Sequence, residues 1–151
     1  MAHYRADVTT ALTPDEAFAY LSDFSTTAEW DPGVVEARRL GDGPIREGTE
    51  FRVVAQFLAR RTPLSYRVTE HDPPHAITLR GENATVVSLD RMTFEDSGAG
   101  TRVIYDATLT LKGPLGLLDP VLAVVFGRVG DRALAGLRRT LTDRAGAPAV
   151  G

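Results

Sequence analysis

The hydrophobic period of this chain changes once, at Lys112-Gly113-Pro114. Before that segment, apolar and polar residues alternate over several short stretches, which is the pattern of β-strands with one buried face. After it, apolar residues recur at helical spacing from Leu115 to Leu141. A helix with such a stripe must bury it, and the only large apolar face available belongs to the preceding strands. The sequence therefore predicts one long helix packed on one sheet.

Turn residues divide the part before Lys112 into seven predicted strands. Alternation is cleanest near the end of this part, where Val103 and Tyr105 face one way and Arg102 and Asp106 the other. Short strands joined by tight turns imply an antiparallel meander. The strands are expected at residues 3–12, 34–40, 49–58, 64–69, 77–79, 85–95 and 101–111, with a turn at 60–63 and a loop at 71–75.

Helix start signals occur in three places. Thr13 is a good N-cap for a first short helix, because Glu16 follows three residues later. Asp23 can begin a second short helix that ends near Trp30. Asp119-Pro120 suits the start of the main helix, which is expected to end near Thr142.

These elements define the predicted fold class and domain organisation. The class is α+β, with a curved antiparallel sheet of about seven strands wrapped around a long C-terminal helix and two short helices after the first strand. We expect a single domain over residues 1–144. The Gly/Pro/Ala-rich residues 145–151 are expected to form a flexible C-terminal tail.

Composition and charge exclude several classes of protein. The net charge is −3 and no basic patch is visible, so nucleic acid is not an expected partner. The chain has no cysteine, which excludes disulfides and cysteine-based metal sites. The N-terminus lacks the apolar segment of a signal peptide, and the longest apolar run is too short to span a bilayer. We expect a cytoplasmic protein with no stable membrane insertion, no cofactor and no metal site.

The predicted architecture leaves room for a ligand. A strongly twisted sheet of this many strands curls, and a single helix of about 10 Å diameter does not fill its concave side. The remaining volume is where an apolar ligand would bind, and a core filled by side chains is the alternative. The residues predicted to line the cavity are Trp30, Phe51, Val53, Phe57, Tyr66, Leu79, Asp90, Met92, Tyr105, Leu118, Leu122 and Phe126.

Six segments of the chain resemble a known family. They are residues 17–24 (AFAYLSDF), 29–32 (EWDP), 48–51 (GTEF), 63–68 (PLSYRV), 100–105 (GTRVIY) and 111–115 (LKGPL). The sequence is similar to the START-like (SRPBCC) superfamily, in its bacterial polyketide cyclase/dehydrase-type branch, over residues 3–142. This resemblance implies the helix-grip fold of the birch pollen allergen. It implies no single activity, because members include aromatase/cyclases, lipid or hormone carriers and domains without a known activity.

Asp90 is the most prominent candidate for chemistry. Strand parity places it on the same face as Met92, so a carboxylate is predicted on a largely apolar surface. Desolvation would raise its pKa and allow it to act as an acid, a base or a hydrogen-bond acceptor, whereas a bulge or a structural hydrogen bond is the alternative. Tyr66 and Tyr105 also lie on apolar faces, as cavity-lining residues or as core residues with bonded hydroxyls. Trp30 is expected near the cavity mouth, where packing is its favoured role.

Other polar residues are weaker candidates. In the cyclase relatives a polar group in the cavity, often Arg or Tyr, polarises polyketide carbonyls. Here Arg39 is expected to be solvated at a strand end, and the interior is predicted to be poor in catalytic groups. His71 and His75 have only Asp72 as an acidic neighbour and are interpreted as an exposed loop instead of a metal site. The arginines predicted to face away from the apolar surface are Arg52, Arg67, Arg80, Arg91 and Arg102.

Three functions are compatible with these patterns. The first is a carrier or sensor that binds a hydrophobic small molecule, such as a lipid, a polyketide or another polycyclic compound. The second is a polyketide cyclase/dehydratase that uses Asp90, Tyr66 or Tyr105 for proton transfer, which convergent ionisable side chains would favour. The third is a core-filled domain that acts through protein contacts. On the outer side of the main helix, Val121 and Val124 with Leu117 are candidates for a cavity lip or a homodimer contact.

Overall fold

The computed structural model describes residues 1–57 and 60–146, and for 57, 116–119 and 122 it describes the backbone alone. These ranges contain seven strands, three α-helices and two 3₁₀ helices. The elements are β1 (Ala2–Thr10), α1 (Pro14–Ser22), a 3₁₀ helix (Phe24–Thr26), α2 (Thr27–Trp30), β2 (Val34–Leu40), β3 (Glu50–Phe57), β4 (Arg60–Asp72), β5 (Ala76–Glu82), β6 (Val86–Asp96), β7 (Thr101–Leu111), a 3₁₀ helix (Gly113–Leu118) and α3 (Asp119–Gly146).

All seven strands form one antiparallel sheet in the order β1-β7-β6-β5-β4-β3-β2. Strands β2 to β7 are a meander, and β1 joins it by pairing with β7. Helix α3 packs against β1 and contacts α2. The predicted α+β class, with a curved sheet and a long C-terminal helix, is confirmed. Within the described ranges, no helix is both long enough and apolar enough to cross a bilayer.

The predicted helix starts at Thr13 and Asp23 form as expected. The Thr13 hydroxyl accepts a hydrogen bond from the Glu16 amide at 3.2 Å, and the Glu16 carboxylate accepts one from the Thr13 amide at 3.3 Å. These two bonds satisfy amides that the first helical turn leaves unpaired. Asp23 caps the following 3₁₀ helix by accepting from the Ser25 amide at 3.1 Å. The 3₁₀ helix and α2 place Trp30 in the hydrophobic core, where it is buried.

The predicted turn at residues 60–63 is wrong, because these residues begin strand β4. Thr62 pairs with Ala55, and Pro63 pairs with Val54 of β3. On its other side, β4 pairs with β5 only from Ser65 onward. This end of β4 therefore has one free edge, where a proline does not remove a ladder hydrogen bond.

Two further boundaries differ from expectation. Strand β4 continues to Asp72, so His71 belongs to a strand and not to an exposed loop. Its ring is half-buried and lies 5.5 Å from the Phe18 ring, centroid to centroid. Helix α3 ends at Gly146 and not near Thr142, so Ala145 and Gly146 of the predicted tail are helical. The rest of that tail, residues 147–151, lies outside the described residues.

The core lies between the concave face of the sheet and α3. Leu137 and Leu141 anchor the helix, since both side chains are fully buried. Gly136 allows a close approach, because a side chain there would collide with the backbone carbonyl of Trp30. The helix therefore lies directly against the end of α2. On strand β6 every second residue is buried, as strand parity predicts, and the set is Val86, Ser88, Asp90, Met92 and Phe94.

Candidate functional site

A cavity of about 280 Å³ lies between α3 and the concave face of the sheet. Its walls come from β1, α2, β2, β3, β4, β6, β7 and α3, so most of the fold contributes to it. Most of the lining is apolar. The apolar lining residues are Phe24, Trp30, Val34, Val53, Ala55, Leu64, Val86, Ala107, Leu109, Leu111, Phe126, Val129, Ala133 and Leu134.

Asp90 lies in this cavity on strand β6 and is 6% exposed. Its Oδ1 accepts a hydrogen bond of 2.6 Å from the Ser88 hydroxyl, and its Oδ2 accepts one from the Tyr105 hydroxyl. Burial raises the pKa of Asp90 above its ordinary value, while the bonds from Ser88 and Tyr105 act in the opposite direction. The carboxyl group therefore stands in the cavity wall with both oxygens held in place.

Tyr66 and Tyr105 stand in the same cavity, on β4 and β7. Burial raises the pKa of each phenol well above its ordinary value, and the charge of Asp90 raises both further. Gly81 is the partner of Tyr66 on β5, and a Cβ on this glycine would lie 2.5 Å from the Tyr66 ring. The missing side chain at Gly81 is what allows the Tyr66 ring to lie in this position.

Asp31 is a site residue that sequence reasoning missed. It follows α2 directly, lines the cavity and accepts a hydrogen bond of 2.8 Å from the Gly33 amide through Oδ1. Burial raises the pKa of Asp31 to about 6, and the charge of Asp90 also raises it. The Asp31-Pro32-Gly33 segment has the sequence signature of a turn, and it forms a turn in the structure. A carboxylate in such a segment gives no local sign that the fold turns it toward a cavity.

Asp31, Tyr66, Ser88, Asp90 and Tyr105 are called the polar cluster from here on. Electrostatic interactions join Asp31 to Asp90, to Tyr66 and to Tyr105, so its ionisable members act on one another. The expectation of an interior poor in catalytic groups rested on the outward-facing arginines, and it stays a prediction. The ionisable groups that line the cavity are carboxyls and phenols instead of arginines. A set of this kind can donate and accept protons in an apolar environment.

Trp30 forms part of the wall beside the polar cluster. Its ring meets the Tyr105 ring edge to face, with centroids 6.1 Å apart and planes at 77°. The indole Nε1 is buried and has no hydrogen-bond partner among the described residues. Tyr4 of β1 also lines the cavity and donates a hydrogen bond of 2.8 Å to Asp131 of α3. This bond ties the first strand to the helix at the cavity.

The structure divides the predicted lining residues into three groups. Phe51, Leu79 and Met92 are fully buried and are not part of the cavity lining, and their predicted role in ligand binding stays a prediction. They lie in the filled part of the core, because the cavity occupies only part of the concave face. The side chains of Phe57, Leu118 and Leu122 lie outside the described residues. The predicted residues that do line the cavity are Trp30, Val53, Tyr66, Asp90, Tyr105 and Phe126.

Basic residues are absent from the described lining of the cavity. Arg39 is half-buried and donates to the Asp42 carbonyl at 3.3 Å, outside the cavity. No cluster of three potential metal ligands occurs among the described residues. Val121 and Val124 are 66% and 62% exposed, and their assignment to a cavity lip or a homodimer contact stays a prediction. The arginines expected to point outward, Arg52, Arg67, Arg80, Arg91 and Arg102, are all exposed.

Comparison with known proteins gives a family match and a set of similar folds. A family model described as polyketide cyclase/dehydrase and lipid transport matches residues 1–142. No curated protein matches the chain at a significant level.

Three solved structures illustrate the fold. A START superfamily protein from Mycobacterium smegmatis has a TM-score of 0.77 at 14% identity, covering 93% of this chain and 97% of that one. A protein from Thermus thermophilus has a TM-score of 0.76 at 18% identity, with coverage of 92% and 96%. The Zhui aromatase/cyclase from Streptomyces sp. R1128 has a TM-score of 0.73 at 15% identity, with coverage of 95% and 92%. At these identities the likeness establishes the helix-grip fold alone.

Proposed function

Because this chain belongs to the polyketide cyclase/dehydrase and lipid transport family, we propose that it binds a hydrophobic small molecule in the cavity between α3 and the sheet. It acts as a carrier or sensor for a lipid, a polyketide or another polycyclic compound, without covalent attachment. The cavity volume of about 280 Å³ carries the proposal. Small-molecule sites span about 300–1,000 Å³, so this cavity lies just below that range and suits a compact ligand.

The lining supports an apolar ligand with a few polar atoms. Val53, Leu64, Leu109 and Leu134 come from four different elements and offer apolar surface all around the cavity. Transfer of an apolar ligand from water to such a surface is favourable by roughly 25 cal/mol for each Å² buried. The polar cluster occupies one region of the wall and would orient the ligand. A core-filled domain, the third alternative, would leave a volume below about 100 Å³.

Two measurements test the binding proposal. Native mass spectrometry of protein purified from its own host should show a bound apolar molecule near one-to-one stoichiometry. Ligand binding should also change the fluorescence of Trp30, which is the only tryptophan and lines the cavity. An apo mass together with no response to a panel of lipids and aromatic polyketides would contradict the proposal.

A matched pair of variants separates cavity binding from binding elsewhere. Ala133 lines the cavity, whereas Ala135 on the same helix is exposed. Ala133→Phe should fill part of the cavity and weaken binding about tenfold or more, because it displaces ligand volume. Ala135→Phe adds the same side chain on the solvent side and should leave affinity unchanged. Equal affinities in the two variants would place the bound ligand outside the cavity.

A second candidate function is enzymatic, as a cyclase/dehydratase for a polyketide-like ketone. The convergence of Asp31, Asp90, Tyr66 and Tyr105 in one cavity favours it. A carboxylate of the polar cluster would remove a proton from the carbon next to a carbonyl, and a phenol would donate a hydrogen bond to the carbonyl oxygen as the enolate forms. Burial raises the pKa of Asp31 to about 6. A general base works best when its pKa lies near the pH of the reaction, so this shift favours Asp31 as a base near neutral pH.

Deuterium exchange tests the enzymatic candidate directly. In D₂O, 1-tetralone should exchange its α-protons faster with the protein than in buffer, as followed by NMR. Asp31→Asn and Tyr105→Phe should each reduce this rate by about 100-fold, the usual scale for a positioned acid or base. If 1-tetralone binds but exchanges at the buffer rate, the protein is a carrier or sensor and the enzymatic candidate is rejected.

A further inference from the structure

The polar cluster also bears on which charge a bound ligand would carry. Resting on the proposed function, we propose that the cavity selects a hydrophobic amine, an apolar body carrying a protonated nitrogen, over neutral and anionic molecules of the same shape. The inference is carried by two carboxyl groups and several aromatic rings that surround the same volume without a basic residue among the described lining.

The two carboxyl groups have no cationic partner on the protein. Neither Asp31 nor Asp90 forms an ion pair with any described residue, and their electrostatic interactions involve only other acidic groups. Among the described residues, Arg138 is the basic residue whose charge acts on a side chain of the lining, and it acts to lower the pKa of Tyr4. Asp90 is buried and Asp31 is half-buried. Carboxylates removed from water are normally paired, since that transfer is costly. A cationic ligand would supply the missing partner.

One oxygen of the two carboxyl groups accepts no hydrogen bond from the described residues and is available to such a ligand. In Asp90 both oxygens already accept bonds, from Ser88 and Tyr105. In Asp31, Oδ1 accepts from Gly33, and Oδ2 accepts no hydrogen bond from a described residue. An ammonium group has three donors and no acceptor, so it matches a free carboxylate oxygen beside a second carboxylate. A carboxylate ligand would instead meet two groups of its own sign.

The aromatic rings act in the same direction. Trp30 and Tyr105 stand 6.1 Å apart, and Phe24 and Tyr66 stand 4.8 Å apart, measured between ring centroids. All four rings line the cavity. The face of an aromatic ring carries partial negative charge and attracts a cation that lies within about 6 Å of the ring centroid. A ring that turns its face to the cavity would therefore add to the preference of the carboxyls for a positive ligand.

Electrostatic cost in the empty protein is consistent with this selectivity. Burial raises the pKa of Asp31 to about 6 and also raises that of Asp90, so a negative charge in the empty cavity is unfavourable. The phenols of Tyr66 and Tyr105 interact electrostatically with both carboxyls, and the charge of Asp90 acts on Asp31. Tyr4 is the remaining titratable residue of the described lining. At pH 8 Asp31 is ionised, and a bound ammonium would compensate its charge.

A matched series of probes tests the charge selectivity. The probes are 1-adamantanemethylamine, 1-adamantanemethanol and 1-adamantanecarboxylate, measured at pH 8 by isothermal titration calorimetry and by Trp30 fluorescence. They share one apolar body and differ in charge. The amine should bind about tenfold more tightly than the alcohol and more tightly still than the carboxylate. In Asp31→Asn and Asp90→Asn the preference of amine over alcohol should fall toward unity, because the carboxylate is gone and the shape is kept.

Glu36→Gln is the control, because Glu36 is exposed on β2 and does not line the cavity. It should keep the full preference for the amine. If alcohol and carboxylate bind as tightly as the amine, the charge inference is overturned and the proposed binding function stands. If the preference survives in both aspartate variants, the polar cluster is not its source and the inference is overturned as well. If none of the three probes binds, the charge inference is overturned, whereas the proposed function fails only if the panel of lipids and aromatic polyketides also gives no response.

Discussion

The Tyr105 hydroxyl donates a hydrogen bond to Oδ2 of Asp90 between two neighbouring antiparallel strands. The residue directly opposite Asp90 is Ala107, so Tyr105 reaches Asp90 diagonally on the same face of the sheet. The small side chain of Ala107 leaves the space beside this pair open to the cavity. Two residues on different strands thus form the centre of the polar cluster.

Removing the phenol hydroxyl should destabilise the protein through Asp90. We expect Tyr105→Phe to lower the free energy of unfolding by about 1–3 kcal/mol at pH 8, because a buried carboxyl loses a hydrogen-bond donor. Urea denaturation measures the change. In an Asp90→Leu background the same substitution should cost much less, since no acceptor remains. Equal losses in the two backgrounds would show that the hydrogen bond contributes nothing.

The raised pKa of Asp31 makes stability depend on pH. Burial raises this pKa from 3.8 to about 6, so the folded state binds the proton more tightly than the unfolded state. The contribution of Asp31 to stability is therefore fully present below pH 4 and is lost as pH rises through about 6. Asp31→Asn does not titrate. It should match the wild type near pH 4 and be more stable by about 1–2 kcal/mol at pH 8.

Thermal unfolding between pH 4 and pH 8 measures this difference. Asp7 provides a control of opposite sign, because its hydrogen bond and charge interaction with Arg102 lower its pKa. The stability from Asp7 is present at neutral pH and is lost as pH falls below 4. Asp7→Asn should therefore show no gain at pH 8. If Asp31→Asn is less stable than the wild type at pH 8, the raised pKa of Asp31 is contradicted.

Gly81 should resist substitution because of the Tyr66 ring. A Cβ at Gly81 would lie 2.5 Å from that ring, so Gly81→Ala must displace either Tyr66 or strand β5. We expect a loss of about 1–3 kcal/mol in the free energy of unfolding, typical of an overpacked interior. In a Tyr66→Ala background the added methyl group has room, and the loss should largely disappear. If the loss persists there, a contact other than the Tyr66 ring is responsible.

The two faces of the predicted architecture should differ in their response to truncation. Leu137 of α3 is fully buried, whereas Leu89 of β6 is 42% exposed on the outer face. Leu137→Ala should cost about 2–5 kcal/mol, because it removes buried apolar surface and leaves a cavity. Leu89→Ala should change stability by about 0.5 kcal/mol or less. Similar costs in urea denaturation would contradict the packing of α3 on the sheet.

The sequence by itself determined the elements and their buried faces. Hydrophobic periodicity is a local property, so it identified the meander, the C-terminal helix and the inward side of β6, including Asp90. The Thr13 capping box was equally visible, because its partners lie three residues apart. Local patterns failed at Arg60–Pro63, where a proline is acceptable in β4 because β5 does not pair with this end of the strand.

Tertiary structure alone decided which inward residues meet. Phe51, Leu79 and Met92 have the same inward pattern as Val53 and Tyr66, yet only the latter two line the cavity. The difference depends on where α3 crosses the sheet, which no single segment encodes. Asp31 joins the polar cluster because the end of α2 meets the inner face of β6 and β7 at one place in three dimensions. The charge and shape of a binding site depend on contacts between residues far apart in the sequence. The alternation of residues along one strand does not predict such contacts.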